Sequence, residues 1–195
     1  MNPCLPDCRC AFYGTILLID RERTQMEHPG MQKVLQPVVQ KYNHEKYWKM
    51  RERAVRYKGG FLEKLICTWY LYRVKKMDAF HNATTAAHLG FGAEFKGTPI
   101  LPHGLNGIIL THEAVIGRNC TIFHQVTIGG GKGGAPVIGD NVMIGPGAKI
   151  IGGVHIGDHA NIGANCVIVK DVPAGATVVT ERPRIILHST EETDQ

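Results

Sequence analysis

The chain has 195 residues, of which 44% are hydrophobic and 20% are charged, values that are ordinary for a globular protein. Its formal net charge of +5 is uneven, because residues 1–100 carry 16 Lys and Arg against 9 Asp and Glu. No aromatic-interleaved basic motif accompanies this charge, which argues against nucleic-acid binding. No apolar run approaches the roughly 20 residues that a membrane-spanning helix needs.

The first part of the chain is predicted to be mostly helical. Residues 1–28 give only a weak signal. Apolar residues recur at helical spacing over Met31–Tyr42 and again over Phe61–Lys76, with the charged segment Glu45–Tyr57 between them. We interpret the apolar stripe of Phe61–Lys76 as a packing surface.

The six cysteines and the N-terminus bear on localisation. Cys120 and Cys166 are expected to be buried as small apolar residues. The three cysteines within residues 1–10 lack a second Cys/His cluster at zinc-site spacing. The apolar stretch Ala11–Ile19 is followed at once by charged residues, unlike a signal peptide with a cleavage site. We therefore expect a cytoplasmic protein with reduced thiols and no metal.

Aliphatic residues recur every six positions along the second half of the chain. The two series are Leu110, Ile116, Ile122, Ile128 and then Ile138, Ile144, Ile150, Ile156, Ile162, Ile168. A period of six fits neither a helix nor an alternating strand, but it is typical of a parallel β-helix built from hexapeptides. We predict a helical region over 1–82, a β-helix over 83–187 and a polar tail over 188–195.

A glycine-rich insertion separates the two series. Four extra residues fall between Ile128 and Ile138, in a stretch with five glycines around Lys132. The stretch does not match a P-loop, because Lys132 is followed by Gly133 rather than by Ser or Thr. We expect a loop that bulges from a corner of the β-helix, either as a flexible connection or as a ligand gate.

Three histidines fall in the first coils: His103, His112 and His124. Imidazole is well suited to take a proton from an alcohol near neutral pH. His103 precedes the regular repeats, and His124 interrupts the small-polar pattern of its own hexapeptide. We expect both to point to one side of the β-helix and to be catalytic, whereas His112 is interpreted as an ordinary corner residue.

The repeat segments resemble a known family. The stretches Thr121–Gly130, Ile138–Ile150 and Ile162–Pro173 are similar to hexapeptide-repeat acyltransferases, specifically to the serine acetyltransferase branch. The resemblance implies a left-handed parallel β-helix and a homotrimer with active sites between subunits. It also implies acetyl-CoA as co-substrate and O-acetylation of L-serine as the reaction.

The resemblance also implies roles for individual residues. His103 matches the histidine that activates the acceptor hydroxyl in the family. The positions that match glycine turns or cations near CoA are Gly129, Gly130, Gly145, Pro146, Lys149, Gly163, Ala164 and Lys170.

Two departures from the family pattern leave the acceptor open. Pro102 stands where the branch usually has an aspartate before the histidine, and Gly134-Ala135-Pro136 replaces a segment with a second histidine. The acceptor is therefore serine or a sugar hydroxyl, since the segment His124–Gly129 is also common among polysaccharide acetyltransferases. A zinc carbonic anhydrase is a weaker alternative, because its third histidine falls on Gly129. A non-catalytic β-helix scaffold is the remaining one.

Overall fold

The computed structural model describes residues 42–181. The chain divides into two compact units, residues 1–43 and 44–195, and the elements described here belong to the second. Two helices that pack against each other open this unit: α1 spans His44–Val55 and α2 spans Phe61–Phe80. Between residues 42 and 181, no helix is both long and apolar enough to cross a membrane.

Both helices were predicted from the sequence. The segments Glu45–Tyr57 and Phe61–Lys76 are confirmed as helical, except that α1 ends at Val55 and α2 continues four residues beyond Lys76. The helix predicted over Met31–Tyr42 lies outside the described residues apart from its last position, and residues 1–28 lie outside them entirely.

The C-terminal end of α2 is set by backbone geometry rather than by a helix-breaking residue. The His81 N–H still donates to the carbonyls of Met77 and Asp78, at 3.2 and 3.1 Å. Asn82 then adopts a φ of 49°, in the left-handed region, which stops the helix. His81, the residue after the end of α2, therefore lies at the start of the β-helix.

The apolar stripe predicted on α2 is not the face that packs against the described residues. Six of its large side chains remain 46–78% exposed: Phe61, Leu62, Leu65, Ile66, Trp69 and Tyr72. The buried face is the opposite one, centred on Cys67 and Val74. Because α2 is apolar on both sides, helical periodicity alone could not tell which side would pack.

Twelve short strands within the described residues form three parallel sheets. Sheet 1 contains β1 (Glu94–Phe95), β3 (Val115–Ile116), β6 (Val137–Ile138) and β9 (His155–Ile156). Sheet 2 contains β4 (Thr121–Ile122), β7 (Met143–Ile144), β10 (Asn161–Ile162) and β12 (Thr177–Val178). Sheet 3 contains β2 (Ile109–Leu110), β5 (Thr127–Gly129), β8 (Lys149–Ile151) and β11 (Val167–Ile168). The chain visits the three sheets in turn, which confirms the predicted β-helix.

The aliphatic residues of the repeat form the core. Partners in register include Ile116 with Ile138, Ile122 with Ile144 and Ile128 with Ile150, so each sheet sends a ladder of aliphatic side chains inward. Every aliphatic residue of the two series is at most 5% exposed. Cys120 and Cys166 are buried free thiols, as predicted. Burial of these side chains drives the coiling.

The turns between sheets form three corners of the prism. The histidine corner, between sheets 2 and 3, comprises residues 101–107, 123–126, 145–148 and 163–166. The loop corner, between sheets 3 and 1, comprises residues 111–114, 130–136, 152–154 and 169–171. The third corner comprises residues 117–120, 139–142, 157–160 and 173–176.

The glycine-rich insertion is a closed hairpin at the loop corner. Gly131 and Gly134 exchange two backbone hydrogen bonds of 2.8 and 3.1 Å, which leaves Lys132 and Gly133 at the tip. The tip rests on the next coil: a Cβ added to Gly153 would lie only 2.1 Å from the Gly133 carbonyl oxygen. The predicted bulge is therefore present, and it is packed against the β-helix.

A buried polar cluster joins the helices to the first coil. The Tyr47 hydroxyl donates to the Asp78 carboxylate and lies 2.6 Å from Thr85 Oγ1. The Thr85 N–H donates to Asp78 Oδ2 at 3.2 Å. Burial raises the pKa of the Asp78 carboxyl, against the opposing effect of these hydrogen bonds, and it also raises the pKa of Tyr47.

Arg51 completes this junction with a buried guanidinium. It donates to the Thr85 carbonyl at 2.8 Å and to the Ala93 carbonyl at 2.8 Å. Its Cζ lies 4.6 Å from the Phe95 ring centroid and 5.3 Å from that of Trp48. Burial lowers the pKa of Arg51 to about 10. The cluster fixes the helices on the coil that carries His103.

Candidate active site

His103 and His124 meet at the histidine corner. His103 lies in the long turn 101–107, and His124 lies in the turn of the next coil. Their ring centroids are 5.0 Å apart and their planes are nearly perpendicular, at 87°. The two histidines therefore lie on one side of the β-helix, as predicted.

The two histidines open into a cavity of about 430 Å³. Its lining residues come from the end of α2 and from two consecutive turns of the histidine corner: His81, Asn82, His103, Asn106, Gly107, His124 and Gln125. Phe123 borders His103, with ring centroids 5.9 Å apart. A small polar ligand could thus contact two imidazoles and several amides at once.

Asn106 links the turn of His103 to the end of α2. Its Nδ2 donates to the His103 carbonyl at 3.1 Å, and its Oδ1 lies 3.1 Å from His81 Nδ1. The Gly107 N–H donates to the His81 carbonyl at 2.9 Å, and the Gln125 N–H donates to the Asn106 carbonyl at 2.8 Å. These bonds hold the His103 turn between the helix and the following coil.

Sequence reasoning missed His81 and Asn106. His81 is 8% exposed at the point where α2 ends, and its contact with Asn106 spans 25 residues. The repeat pattern carries no signal for such a contact, because both residues precede the regular coils. The polar segment His103–Gly107, which departs from the six-residue period, was the available hint.

His124 has a polar atom that no described residue satisfies. Its Nδ1 is buried and makes no hydrogen bond within residues 42–181. Buried polar atoms are normally paired, so this nitrogen could accept or donate a bond to a ligand group. The tautomer of each ring would decide which.

His112 lies on the loop corner, away from this cavity. Its ring is 6.3 Å from that of His88 and 6.0 Å from that of Phe91, and its Nε2 is 3.7 Å from Glu113. This position agrees with the interpretation of His112 as a corner residue.

Four of the residues expected near CoA continue the histidine corner. Gly145-Pro146 and Gly163-Ala164 occupy the next two turns after His124. The Gly147 N–H donates to the His124 carbonyl at 3.0 Å, and the Asn165 N–H donates to the Pro146 carbonyl at 2.9 Å. A ligand lying along this corner would extend from the histidine pair past both turns.

The other four residues are not all beside that corner. Lys149 begins β8, and its Nζ donates to the Gln125 carbonyl at 3.0 Å, so it is tied to the histidine corner. Gly129 ends β5 on the other edge of sheet 3, and Gly130 and Lys170 follow at the loop corner. A single chain therefore places the eight residues on both edges of sheet 3.

Gly145 has a packing requirement that is independent of any ligand. A Cβ at this position would lie 2.8 Å from the Ala164 nitrogen and from the Ile162 carbonyl oxygen. The close stacking of coils thus explains the glycine by itself. Within the described residues, no group of three or more His, Cys, Asp or Glu side chains could hold a metal ion.

Comparisons with known proteins agree with this fold. A model of the bacterial transferase hexapeptide family, covering six repeats, matches residues 135–170. The chain is 37% identical over 121 residues to the serine acetyltransferase of Helicobacter pylori, an alignment that covers 60% of this chain and 70% of that protein. The chain belongs to the serine acetyltransferase family.

Other members of the family are longer than the matched part. The chain is 36% identical over 109 residues to the serine acetyltransferase of Synechococcus elongatus, and this alignment covers 54% of the chain and 44% of that protein. It thus spans less than half the length of that relative. A solved serine acetyltransferase in complex with CoA matches with a TM-score of 0.54 and 27% identity, over 72% of this chain and 54% of that one.

Proposed function

We propose that the protein is an acetyl-CoA-dependent O-acetyltransferase that acetylates L-serine to O-acetylserine. The observation that carries the proposal is the pair His103 and His124, which face one cavity on a corner of the β-helix. Membership of the serine acetyltransferase family supports the reaction and the acceptor. The CoA-bound relative supports acetyl-CoA as the co-substrate.

In the proposed reaction His103 is the general base. Its imidazole takes the proton from the acceptor hydroxyl as that oxygen attacks the thioester carbonyl carbon. The tetrahedral intermediate then expels the CoA thiolate, which receives the proton from the imidazolium. We assign to His124 the binding of the acceptor or of the developing oxyanion, a role supported by its Nδ1, which has no partner among the described residues.

The co-substrate is proposed to lie along sheet 3. Gly145, Pro146, Gly163 and Ala164 would line it at the histidine corner, whereas Gly129 and Gly130 would line it at the opposite edge of the sheet. Lys149 and Lys170 are assigned to the CoA phosphates. Because these residues lie on both edges of the sheet, the arrangement fits the expected homotrimer, in which two chains would contribute to one site. A mass three times 21.5 kDa in solution tests the trimer.

A sugar hydroxyl is the second candidate acceptor. None of the described residues that line the cavity is Asp, Glu, Lys or Arg. Amide and imidazole groups can hydrogen-bond a neutral polyol, whereas a zwitterionic amino acid gains most from charged partners.

We also infer a cytoplasmic setting, which fits the free thiols of Cys67, Cys120 and Cys166.

A thiol-release assay with acetyl-CoA tests the proposal. L-Serine, homoserine and simple sugars are compared as acceptors for the wild type, His103→Ala and the matched control His112→Ala. We expect turnover with serine that falls by about 10²- to 10⁴-fold in His103→Ala and is unchanged in His112→Ala. Turnover with sugars alone moves the assignment to the second candidate. A chain that neither binds CoA nor releases thiol with any acceptor contradicts acetyl transfer and favours the scaffold alternative.

A further inference from the structure

The outward side of α2 carries a continuous apolar face. We define the apolar face as Phe61, Leu62, Leu65, Ile66, Trp69 and Tyr72, all 46–78% exposed. At 100° per residue these positions span an arc of about 140°, opposite the buried Cys67 and Val74. The solvent-exposed side of a helix is normally polar, so an exposed apolar face of this size indicates an interaction surface.

The charges on this side of the helix have one sign. Arg73 and Lys76 fall within the same arc, in the second half of α2, and both are exposed. The Arg73 guanidinium lies 5.4 Å from the Trp69 ring centroid. Neither cation forms an ion pair with any described residue.

The two carboxylates of α2 are directed elsewhere. Asp78 is 3% exposed in the junction with the first coil. Glu63 lines a cleft together with Lys49, Arg53 and Arg56 of the α1 segment. The apolar face therefore has cations and no anion. The whole helical segment, residues 44–80, carries ten Lys and Arg against four Asp and Glu.

We propose that the apolar face of α2 docks the protein onto an anionic membrane surface. A helix that exposes Trp and Leu with Lys and Arg beside them can lie in the lipid interface, where the cations reach the headgroup phosphates. The helix would lie flat, along roughly 30 Å of the surface. Docking of this kind is independent of the acetyl-transfer proposal.

The same charges argue against a second copy of this face as the occupant. Two apolar faces packed together would remove Arg73 and Lys76 from water without a carboxylate of α2 to pair with them. Burying unpaired charges is costly. Anionic lipid supplies both the apolar layer and the counter-charge.

Sedimentation of the full chain with lipid vesicles tests the proposal. We expect binding to vesicles that contain phosphatidylglycerol, weaker binding at high salt, and little binding to phosphatidylcholine alone. Leu65→Gln should weaken binding by about tenfold or more, since a buried leucine contributes most to insertion. Arg73→Gln and Lys76→Gln should each weaken it by roughly fivefold.

Matched variants elsewhere serve as controls. Val179→Gln replaces a valine that is 54% exposed near the end of the β-helix, and it should not change vesicle binding. Arg118→Gln removes an exposed cation at the third corner, and it should also have little effect. Tryptophan fluorescence offers a second measurement. Trp69 is exposed on the apolar face and Trp48 is buried, so quenching by brominated lipids reports mainly on Trp69.

The proposal is overturned if the wild type does not bind anionic vesicles at low salt. It is also overturned if binding persists unchanged in Leu65→Gln and Arg73→Gln, because another surface is then responsible. A wild type that fails to bind vesicles, but whose mass in ultracentrifugation falls on Leu65→Gln, identifies a second copy as the occupant.

Discussion

The regular coils and the irregular first coil use the same three sheets in different ways. From Ile108 to Val178, each coil sends aliphatic side chains inward and closes its corners with short turns. From Ala83 to Gly107, the chain forms one short strand, β1, and a long turn that carries His103. The end of α2 packs against that turn through His81.

The difference shows where this fold leaves room for a ligand. In the regular coils the corner turns stack closely: a Cβ on Gly145 would lie 2.8 Å from backbone atoms of the next coil. In the irregular coil the turn is longer, and a cavity of about 430 Å³ remains between it and the helix. Close packing is thus concentrated in the regular coils, and the cavity opens where the irregular coil and the end of α2 meet the first of them.

Removal of a core side chain should give the largest effect on stability. Ile144 is fully buried in sheet 2, so Ile144→Ala should lower the free energy of unfolding by roughly 2–5 kcal/mol. His103→Ala, at an exposed position, should change it by less than about 0.5 kcal/mol. Urea unfolding at equal protein concentration measures both. A stability loss in His103→Ala as large as that in Ile144→Ala would contradict the division between the two regions.

Loss of Asn106 should affect activity more than stability. Asn106→Ala removes the bond to the His103 carbonyl and the partner of His81, so we expect kcat to fall by about tenfold to a hundredfold through misplacement of His103. Asn106→Asp keeps an acceptor for His81 but loses the donor to His103, and it should resemble Asn106→Ala. The KM for acetyl-CoA should be unchanged in both.

Asn161→Ala, in sheet 2 of the regular coils, is the matched control and should leave kcat unchanged. If Asn106→Asp restores full activity, the bond to the His103 carbonyl is not what positions the turn. If His103→Ala itself retains activity, the assignment of the base fails instead, so the two ideas are separable.

The repeat made the regular coils predictable, because every coil solves the same packing problem with the same residues. Ile122 and Ile144, for example, could be assigned to one ladder from spacing alone. His103 and His124 could also be placed on one side, since they are about one coil apart. Their roles stay predictions.

The irregular region was less predictable for a physical reason. The contact of His81 with Asn106 joins a helix end to a turn, and no periodicity marks either residue. The junction of Tyr47, Asp78 and Thr85 is of the same kind, a long-range polar contact within otherwise ordinary helical sequence. Which face of α2 packs within the described residues could not be predicted from helical spacing, because both of its faces are apolar.

The pH dependence of stability should report the junction rather than the coils. Burial raises the pKa of Asp78 in the folded state, so the folded protein binds this proton more tightly than the unfolded chain does. The resulting stabilisation is complete below the ordinary carboxyl pKa and is lost as the pH rises through the folded value. In Asp78→Asn this contribution is absent at every pH.

The measurement is the difference in urea midpoint between the wild type and Asp78→Asn, from about pH 4 to pH 7. We expect the wild type to lose stability relative to the variant as the pH rises. A difference that stays constant would mean that the hydrogen bonds from Tyr47 and Thr85 balance burial, and one that moves the opposite way would mean that they outweigh it.

The smallest expected effect concerns Lys149, which lies in the regular coils beside the histidine corner. Its Nζ bond to the Gln125 carbonyl should contribute about 0.5–1.5 kcal/mol to stability, so Lys149→Met should lower the urea midpoint slightly. Lys170 is exposed at the loop corner, and Lys170→Met should not change stability. If both lysines also meet CoA phosphates, both variants should raise the KM for acetyl-CoA. If only Lys170→Met raises the KM for acetyl-CoA, Lys149 does not bind the co-substrate. Its ammonium would then serve only the hydrogen bond to the Gln125 carbonyl, in the turn that carries His124.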